Sequence, residues 1–546
     1  MSDAADTASP VLDVRDLSVA FRSRAGLLTT VVHNVSFTVG AGTTLALVGE
    51  SGSGKSTTAA ALNGLLPSAG RITGGDIVFD GQSMVGLGER ELRRLRGARI
   101  GFVPQDPMSN LNPLMRIGDQ ITEALSAHGR PVTLDGIDAA VALLEMVGIP
   151  DAPRRARQYP HEFSGGMRQR ALIAIGLACR PPLLIADEPT SALDVTVQRR
   201  ILDQLASLAR DFGTAVVLIT HDLALAAERA DYVAVMSAGR IVELGSAEQI
   251  VEAPEHPYTR DLMAAVPSFR SRALVIEREA PPDVSGEPLV VVTRLRKEFP
   301  VRSSRGSAEQ FVAVDDVSFT VRRGETVAIV GESGSGKSTT ANLILGLDDA
   351  TDGNIEFDGV DIATLRTRDR FAWRRRIQPV FQNPYASLDP RYTVERSIGE
   401  PLRVHGIGTA RSRSQRAAEL LERVALPAAM GDRLPHELSG GQRQRVAIAR
   451  AIALSPDLVV LDEAVSALDV IVQAQILELL ADLQSELGLS YLFISHDLAV
   501  VKMMSHTVHV MKSGSIVESG SPAQLFHDPV DPYTRELVAA IPGRRS

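Results

Sequence analysis

The sequence is poor in several features that would point to particular classes of protein. Its 546 residues include a single cysteine, Cys179, which excludes an intramolecular disulfide and any zinc or iron–sulfur site built from several thiolates. No run approaches the roughly 18 consecutive apolar residues of a membrane-spanning helix, and the N-terminal MSDAADTASP lacks the basic and apolar regions of a secretory signal. We therefore expect a cytoplasmic chain that acts at a membrane only through a partner, and a buried, apolar role for Cys179.

An excess of basic residues is also missing. The chain has 57 Lys and Arg against 66 Asp and Glu, a net charge of −9, so the overall charge gives no reason to expect a nucleic-acid partner. Hydrophobic residues make up 44% of the sequence, which is ample for packed cores. At this length the chain should form two to four domains rather than one.

A long internal repeat organises the chain. The ten residues GESGSGKSTT at 49–58 return at 331–340, and the later pairs Asp187/Asp462 and His221/His496 are each 275 positions apart. A period of this size indicates a duplicated domain and not a solenoid, whose repeats are much shorter. The boundaries that we predict are 10–267 for the first domain, 268–288 for a proline-bearing linker and 289–546 for the second domain.

Each half has the pattern of an α/β fold. The apolar runs TLALV, LLIAD and VVLIT of the first half, and TVAIV, LVVLD and YLFIS of the second, alternate with segments of helical periodicity such as ILDQLASLARDF. Such alternation predicts a mostly parallel sheet covered on both faces. Residues from about 106 to 180, and their counterparts in the second half, should be mainly helical.

The repeated ten residues contain a phosphate-binding pattern, G-x-x-x-x-G-K-[ST]. Its glycines let the backbone approach a phosphate, its lysine reaches the outer phosphates, and its serine can bind Mg²⁺. Two matches, each directly after an apolar strand, favour this interpretation over a simple glycine turn. The predicted nucleotide-binding residues are Gly49, Ser51, Gly52, Ser53, Gly54, Lys55, Ser56 and Thr57, and again Gly331, Ser333, Gly334, Ser335, Gly336, Lys337, Ser338 and Thr339.

Two acidic residues close a buried strand in each half, and a histidine follows the next strand. In a P-loop ATPase the aspartate (Asp187, Asp462) holds Mg²⁺ and the glutamate positions or deprotonates the attacking water. Because successive strand residues point in opposite directions, the two carboxylates should have different roles. A strand-end imidazole can hydrogen-bond a terminal phosphate. The predicted catalytic residues are Glu188, Glu463, His221 and His496.

The segments FSGGMRQR (163–170) and LSGGQRQR (438–445) both open a helix-like stretch. A serine and two glycines at a helix start can form an anion site, because the hydroxyl and several backbone N–H groups point outward. An ordinary helix cap would have the same composition. The residues alone leave both interpretations open.

Taken in order, these motifs resemble the nucleotide-binding domains of ABC ATPases, and the likeness covers both halves. The resemblance implies a RecA-like α/β core with an antiparallel β-subdomain and a helical subdomain, and it implies ATP and Mg²⁺ as ligands. It adds glutamines, Gln105 and Gln382, as further Mg²⁺ ligands beside Ser56, Asp187, Ser338 and Asp462, and aromatic adenine contacts, Phe21 and Phe299. It also implies two ATP sites shared head to tail between the halves, one completed by Ser439, Gly440, Gly441 and Gln442, the other by Ser164, Gly165, Gly166 and Met167.

A narrower resemblance comes from PYTRDLMAAVP (257–267) and PYTRELVAAIP (532–542), which are similar to segments of the dipeptide/oligopeptide importer branch. That branch also handles nickel and glutathione. Membership implies two permease subunits, an extracytoplasmic binding protein, a peripheral place on the cytoplasmic face of the membrane and no nucleic acid. The alternative is a twin ABC ATPase that acts on ribosomes or DNA. Met167 replaces the usual signature glutamine in the first half, and Ala464–Val465 replace the Pro–Thr that follows Glu188 in the first half. Neither change removes a phosphate ligand or a catalytic carboxylate, so we expect both sites to hydrolyse ATP.

Overall fold

The computed structural model describes residues 10–23, 26–129, 137–190, 195–267, 273–274, 287–302, 308–383, 387–466, 468–539 and 541. The chain divides into two compact units, one with most of the described residues up to Val266 and the other with most of those from Pro267. The predicted linker 268–288 lies almost wholly outside the described residues. No helix in the described ranges is long and apolar enough to cross a membrane.

The strands of the first unit form two sheets. They are β1 (Leu12–Arg22), β2 (Leu28–Val39), β3 (Thr44–Val48), β4 (Gly70–Phe79), β5 (Gln82–Ser83), β6 (Ile100–Val103), β7 (Leu183–Asp187), β8 (Ala215–Thr220), β9 (Tyr232–Ser237) and β10 (Arg240–Ser246). A four-stranded antiparallel sheet has the order β2-β1-β4-β5. A six-stranded sheet has the order β10-β9-β3-β8-β7-β6, and its pairings are parallel except for the edge pair β9 and β10. The prediction of a mostly parallel sheet is therefore confirmed.

Helices connect the strands of the parallel sheet, and further helices form a separate helical region between residues 106 and 180. In the first unit they span Lys55–Leu62, Glu89–Leu95, Pro107–Asn110, Ile117–Ser126, Ile137–Met146, Ala152–Arg155, Gly165–Leu177, Val195–Phe212, Leu223–Arg229, Ala247–Glu252 and Pro257–Ala265, with a 3₁₀ turn at Pro160–Glu162. Between residues 106 and 180 the described chain is almost entirely helix and turn. The expected helical region is thus present.

The two faces of the six-stranded sheet belong to different cores, because strand side chains alternate in direction. Leu45, Leu183 and Val217 lie on one face and pack with residues of the antiparallel sheet. Leu184 and Val216, one position along the same strands, lie on the other face and pack with the helical region. Cys179 is buried in this second core, as its sequence context predicts.

The second unit repeats this plan. Its strands are β11 (Val290–Arg302), β12 (Ala308–Val321), β13 (Thr326–Val330), β14 (Asp352–Phe357), β15 (Val360–Asp361), β16 (Ile377–Val380), β17 (Leu458–Asp462), β18 (Ser490–Ser495), β19 (Thr507–Lys512) and β20 (Ser515–Gly520). The sheet orders are β12-β11-β14-β15 and β16-β17-β18-β13-β19-β20. The match in strand order to the first unit is what a duplicated domain requires.

The helices of the second unit occur in the same order along the chain as those of the first. They span Lys337–Ile344, Thr367–Trp373, Val394–Val404, Ala410–Arg423, Gly440–Ile452, Val470–Leu487, Leu498–Met504, Pro522–His527 and Pro532–Ala539, with 3₁₀ turns at Ile362–Thr364, Ala428–Asp432 and Pro435–Glu437. Trp373, the only tryptophan of the sequence, is buried with its ring edge-on to Phe357 at a centroid distance of 6.1 Å.

Candidate nucleotide-binding sites

Each repeated loop joins the central strand of the parallel sheet to a helix. In the first unit it connects β3 to the helix Lys55–Leu62. Gly49 has φ of 152°, and a Cβ built on it would lie 2.1 Å from the carbonyl oxygen of Met236, so only glycine fits there. Gly331 of the second unit has φ of 153° and the same clearance from the Met511 carbonyl oxygen. The two loops therefore follow the same backbone path, and this path requires glycine at their first position.

The loop lysine lies inside the curve of its own loop. Lys55 is buried, and its Nζ donates to the carbonyl oxygens of Gly49 at 2.7 Å and Glu50 at 2.8 Å. Lys337 donates to the corresponding oxygens of Gly331 and Glu332, both at 2.8 Å. Burial lowers the pKa of Lys55, because removing an ammonium group from water disfavours its charged form.

The other loop residues lie at the turn and at the helix start. Ser51, Gly52, Ser333 and Gly334 are exposed, whereas Ser53 and Ser335 are buried. The Ser53 hydroxyl has no hydrogen-bond partner among the described residues. The helices begin at Lys55 and Lys337, so Ser56, Thr57, Ser338 and Thr339 lie in their first turns, where unpaired backbone N–H groups favour a phosphate.

A hydroxyl and a carboxylate meet at the predicted Mg²⁺ position in each unit. Ser56 Oγ lies 3.3 Å from Asp187 Oδ1, and Ser338 Oγ lies 3.1 Å from Asp462 Oδ1. Burial and the nearby Glu188 charge raise the pKa of Asp187 to about 6, and burial also raises the pKa of Asp462. A cation would favour the charged form of either carboxylate.

These oxygen donors fit Mg²⁺, which prefers hard oxygen ligands and retains several waters. No group of three or more His, Cys, Asp or Glu side chains that could hold a metal is found in the described ranges. The serine and aspartate alone would therefore leave most of an octahedral shell to phosphate oxygens and water.

The glutamate after each strand is held by a glutamine and a histidine. Gln105 Nε2 donates to Glu188 Oε2 at 2.7 Å, and His221 Nδ1 lies 3.4 Å from the same oxygen. Burial alone would raise the pKa of Glu188, but the hydrogen bond and charge of His221, together with the charge of Lys55 and the hydrogen bond of Gln105, lower it. Contact with Glu188 in turn raises the pKa of His221 against the effect of burial.

The second unit repeats this arrangement with nearly equal distances. Gln382 Nε2 donates to Glu463 Oε2 at 2.7 Å, and His496 Nδ1 lies 3.3 Å from that oxygen. Glu463 has φ of 47°, as Glu188 has 43° in the first unit. Both glutamates therefore lie past the strand end in a left-handed turn. The turn, and not the alternation of strand residues that we expected, separates each glutamate from its aspartate.

The signature serines cap their helices. Ser164 Oγ accepts from the Met167 backbone N–H at 3.4 Å, and Ser439 Oγ accepts from that of Gln442 at 3.3 Å. In the second unit Gln442 Oε1 also accepts from the Ser439 N–H at 3.0 Å, which completes a reciprocal capping box. Methionine has no such acceptor, so the first unit lacks this bond. In the described part of the first unit, the hydrogen bonds that join Ser56 to Asp187 and Gln105 to Glu188 do not involve the signature segment 163–170.

The predicted adenine contacts lie on the antiparallel sheets. Phe21 is in β1 opposite Gly70, with its ring over that glycine. Phe299 is in β11, with Lys297 Nζ 5.0 Å from its ring centroid, and 36% of its surface is exposed. Their role toward a nucleotide stays a prediction.

The structure adds one tyrosine to each site. The sequence pattern had indicated these tyrosines only as part of a segment typical of the importer branch. The hydroxyls of Tyr258 and Tyr533, in the two PYTR segments, accept hydrogen bonds from the loop N–H groups of Glu50 and Glu332 at 3.2 and 2.9 Å. Sequence separations of 208 and 201 residues hide these contacts. The recurrence of the same tyrosine in both halves was the available signal.

Comparison with known families gives two matches in each half. A family of ABC transporter domains matches residues 32–191 and 314–466. A family described as the oligopeptide/dipeptide transporter C-terminal region matches residues 242–287 and 517–545.

Individual proteins match over almost the whole chain. The glutathione import ATP-binding protein GsiA of Escherichia coli K12 is 46% identical over 99% of this chain and 91% of its own length. GsiA of Salmonella choleraesuis strain SC-B67 is 46% identical over 97% of this chain and 89% of its own length. Among solved structures, the dimeric post-hydrolysis state of the ATP-binding cassette MJ0796, bound to ADP and Pi, is 31% identical over 43% of this chain and 98% of that chain, with a TM-score of 0.39.

The full-length identity and the paired domain matches agree with the motif order and with the geometry of the two loops. ABC cassettes of this kind bind ATP and hydrolyse it. The chain belongs to the ATP-binding proteins of the ABC transporter family, as a double-cassette ATPase of the oligopeptide/dipeptide importer branch.

Proposed function

We propose that this chain hydrolyses Mg²⁺-bound ATP to drive the uptake of a small peptide, either glutathione or a di- or oligopeptide, through a membrane importer. The observation that carries the proposal is the 46% identity to a glutathione import ATP-binding protein over 99% of the chain. The paired matches to the oligopeptide/dipeptide transporter C-terminal region support the same class of cargo.

In the proposed reaction the loop binds the phosphates of ATP. Lys55, already turned into the loop by two carbonyl oxygens, would pair with the outer phosphates, and the helix start at Lys55–Leu62 would add backbone N–H donors. Mg²⁺, when bound, would neutralise phosphate charge that develops during transfer. Ser56, Asp187 and the side-chain oxygen of Gln105 are the groups that would hold it.

Glu188 is the proposed group that orients or deprotonates the attacking water. One oxygen of its carboxylate contacts both Gln105 and His221, and its pKa is lowered, so it remains ionised and able to accept a proton. We assign Glu463, Gln382 and His496 the same roles in the second cassette, where the distances are nearly equal.

We further propose that each loop is completed by the signature segment of the other half, with 10–267 and 289–546 as the two cassettes. The loop at 49 would receive Ser439, Gly440 and Gly441, and the loop at 331 would receive Ser164, Gly165 and Gly166. Support comes from the exposure of Ser164 and Ser439 at their helix starts and from the family arrangement that the resemblance implies. Two permease subunits, an extracytoplasmic binding protein and a peripheral place on the cytoplasmic face of the membrane follow from the importer class.

Uptake in cells that lack this gene tests the proposal. We expect accumulation of labelled glutathione or a labelled dipeptide to be restored by the wild-type gene and abolished by Glu188→Gln together with Glu463→Gln. Glu145→Gln and Glu422→Gln, at exposed helix positions, are matched controls and should restore uptake. The single glutamate variants would show whether each site hydrolyses ATP.

Two results would contradict the importer assignment. One is normal uptake of every tested peptide in cells without the gene. The other is cofractionation of the chain with ribosomes or DNA in place of a membrane fraction that contains the permease subunits.

A further inference from the structure

The C-terminal segment of each cassette reaches back to its own phosphate-binding loop. Tyr258 lies in the helix Pro257–Ala265, and its hydroxyl accepts a hydrogen bond from the backbone N–H of Glu50 at 3.2 Å. Tyr533 lies in the helix Pro532–Ala539 and accepts from the Glu332 N–H at 2.9 Å. Glu50 and Glu332 directly follow the first glycine of each loop.

These bonds act on a peptide group that the loop lysine also holds. The peptide between Gly49 and Glu50 presents its carbonyl oxygen to Lys55 Nζ at 2.7 Å and its N–H to Tyr258. Because a peptide group is a rigid plane, contacts at both ends fix its orientation about the chain. This plane is where the loop begins, so its orientation sets the direction in which the following N–H groups point.

The second loop has the same double contact. The peptide between Gly331 and Glu332 is held by Lys337 Nζ at 2.8 Å and by Tyr533. Lys512 Nζ lies 4.4 Å from the Tyr533 ring centroid, whereas Ser237 occupies the matching position in the first unit. The hydroxyl contact is therefore common to both units although the surroundings of the ring differ.

A glutamate on the edge strand anchors each segment before its tyrosine. The Glu243 carboxylate in β10 accepts from the backbone N–H groups of Glu255 at 2.8 Å and His256 at 3.1 Å. His256 Nδ1 then accepts from the Tyr258 N–H at 3.2 Å and caps the helix. These successive bonds fix where the helix starts and so where Tyr258 points.

The anchor is repeated in the second unit. Glu518 in β20 accepts from the N–H groups of Val530 at 2.8 Å and Asp531 at 3.0 Å. Asp531 Oδ1 accepts from the Tyr533 N–H at 2.8 Å. The acceptor side chain before the tyrosine differs between the units, but the geometry it produces is the same.

We infer that Tyr258 and Tyr533 are positioning residues for ATP binding, each holding the first peptide of its phosphate-binding loop in the orientation that receives the nucleotide. The C-terminal segments thereby take part in ATP binding in addition to whatever they contribute to the importer. This inference rests on the ATPase activity and is independent of the transported cargo.

The test uses the full-length chain with both tyrosines changed to phenylalanine. Tyr258→Phe/Tyr533→Phe keeps each ring and removes only the two hydroxyls. The net worth of one hydrogen bond, roughly 0.5–1.5 kcal/mol, corresponds to an increase of roughly 2.3-fold to 12-fold in the dissociation constant for ATP at each site. KM should rise by a similar factor while kcat at saturating ATP stays unchanged, because the tyrosines do not contact the reacting atoms.

A third tyrosine provides the control for a purely structural effect. Tyr491 is buried at the start of β18, and its hydroxyl donates to the Leu480 carbonyl oxygen at 2.9 Å, away from the loop. Tyr491→Phe should lower the melting temperature and leave ATP affinity as it is. The single variants Tyr258→Phe and Tyr533→Phe should each weaken one of two sites in a calorimetric titration with ATP and Mg²⁺.

Two outcomes would overturn the inference. The first is an ATP affinity of the double variant within twofold of wild type. The second is a lower kcat with no change in affinity or KM, since that result would place the hydroxyls in the chemical step and not in the geometry of the loop.

Discussion

A buried histidine of the second cassette should make its stability depend on pH. His509 lies in β19 with 7% of its surface exposed, its Nδ1 is 2.7 Å from Ser519 Oγ, and its ring centroid is 5.2 Å from that of Phe319. Its Nε2 has no hydrogen-bond partner in the described part of the chain. The matching position in the first cassette is Ala234, so His509→Ala reproduces a side chain that the fold already accepts.

The size of the effect follows from the burial of the ring. Burial lowers the pKa of His509 from 6.5 to about 4, although the charge of Glu325 acts in the opposite direction. Above pH 6.5 the ring is neutral in both the folded and the unfolded state. Between pH 6.5 and 4 the unfolded state binds a proton that the folded state does not, so the free energy of unfolding falls as the pH falls. At 1.36 kcal/mol per pKa unit, the loss between pH 7.5 and pH 5 is about 2 kcal/mol.

The single tryptophan makes the measurement specific to this cassette. Trp373 belongs to the second unit, so its fluorescence in urea follows the unfolding of that unit. We expect the free energy of unfolding of wild type, minus that of His509→Ala, to fall by about 2 kcal/mol from pH 7.5 to pH 5. Other titrating groups, including nearby His506, cancel in this difference if the substitution leaves them in place.

A second variant separates burial from hydrogen bonding. Ser519 is exposed at the surface end of the contact, so Ser519→Ala removes the hydroxyl partner but leaves the His509 ring buried. Because burial is the main cause of the lowered pKa, this variant should keep the pH slope of wild type. Equal slopes for wild type and His509→Ala would refute the reasoning, since the ring would then titrate alike in the folded and unfolded states.

Two further predictions concern the helix cap and the loop of the first cassette. Met167→Gln should supply an acceptor for the Ser164 N–H and so raise the stability of the first unit by about 0.5–1 kcal/mol. Calorimetry should show this as a higher unfolding temperature of that unit. An unchanged unfolding temperature would mean that the added side chain faces solvent. Gly49→Ala should abolish ATP binding in the first site, because its Cβ would lie 2.1 Å from the Met236 carbonyl oxygen at a φ of 152°. Titration with ATP measures this loss, and Gly88→Ala, where the nearest atom is 3.7 Å away, should bind normally; wild-type affinity of Gly49→Ala would contradict the close packing.

The parallel strands and the loops were predictable because their signals are local. TLALV and TVAIV coincide with β3 and β13, and LLIAD and LVVLD coincide with β7 and β17. Each is a short apolar run that ends at a glycine loop or a pair of acids, and such runs fit a strand buried on both faces. The motifs therefore located the strand ends, and with them the residues that meet at the carboxyl edge of the sheet.

Contacts between distant segments were not predictable, because a periodic pattern identifies the buried face but not its partner. The hydrogen bond from Glu50 to Tyr258 joins a strand end to a helix 208 residues later. Nor does the strand pattern of β19 show that His509 faces inward with a lowered pKa.

The comparison of the two cassettes limits where unequal turnover could arise. The groups that would act on ATP are nearly superimposable in their internal distances: the serine–aspartate contact is 3.3 Å in one and 3.1 Å in the other, and the glutamine–glutamate bond is 2.7 Å in both. The signature caps differ, because Gln442 closes a capping box that Met167 cannot form. Two differences near the sites are left as sources of unequal hydrolysis: the signature caps, and Ala464–Val465 in place of Pro189–Thr190 after the glutamate. If each signature segment completes the ATP site of the other half, as we propose, Met167→Gln should reduce the inequality without any change to a loop or a catalytic carboxylate.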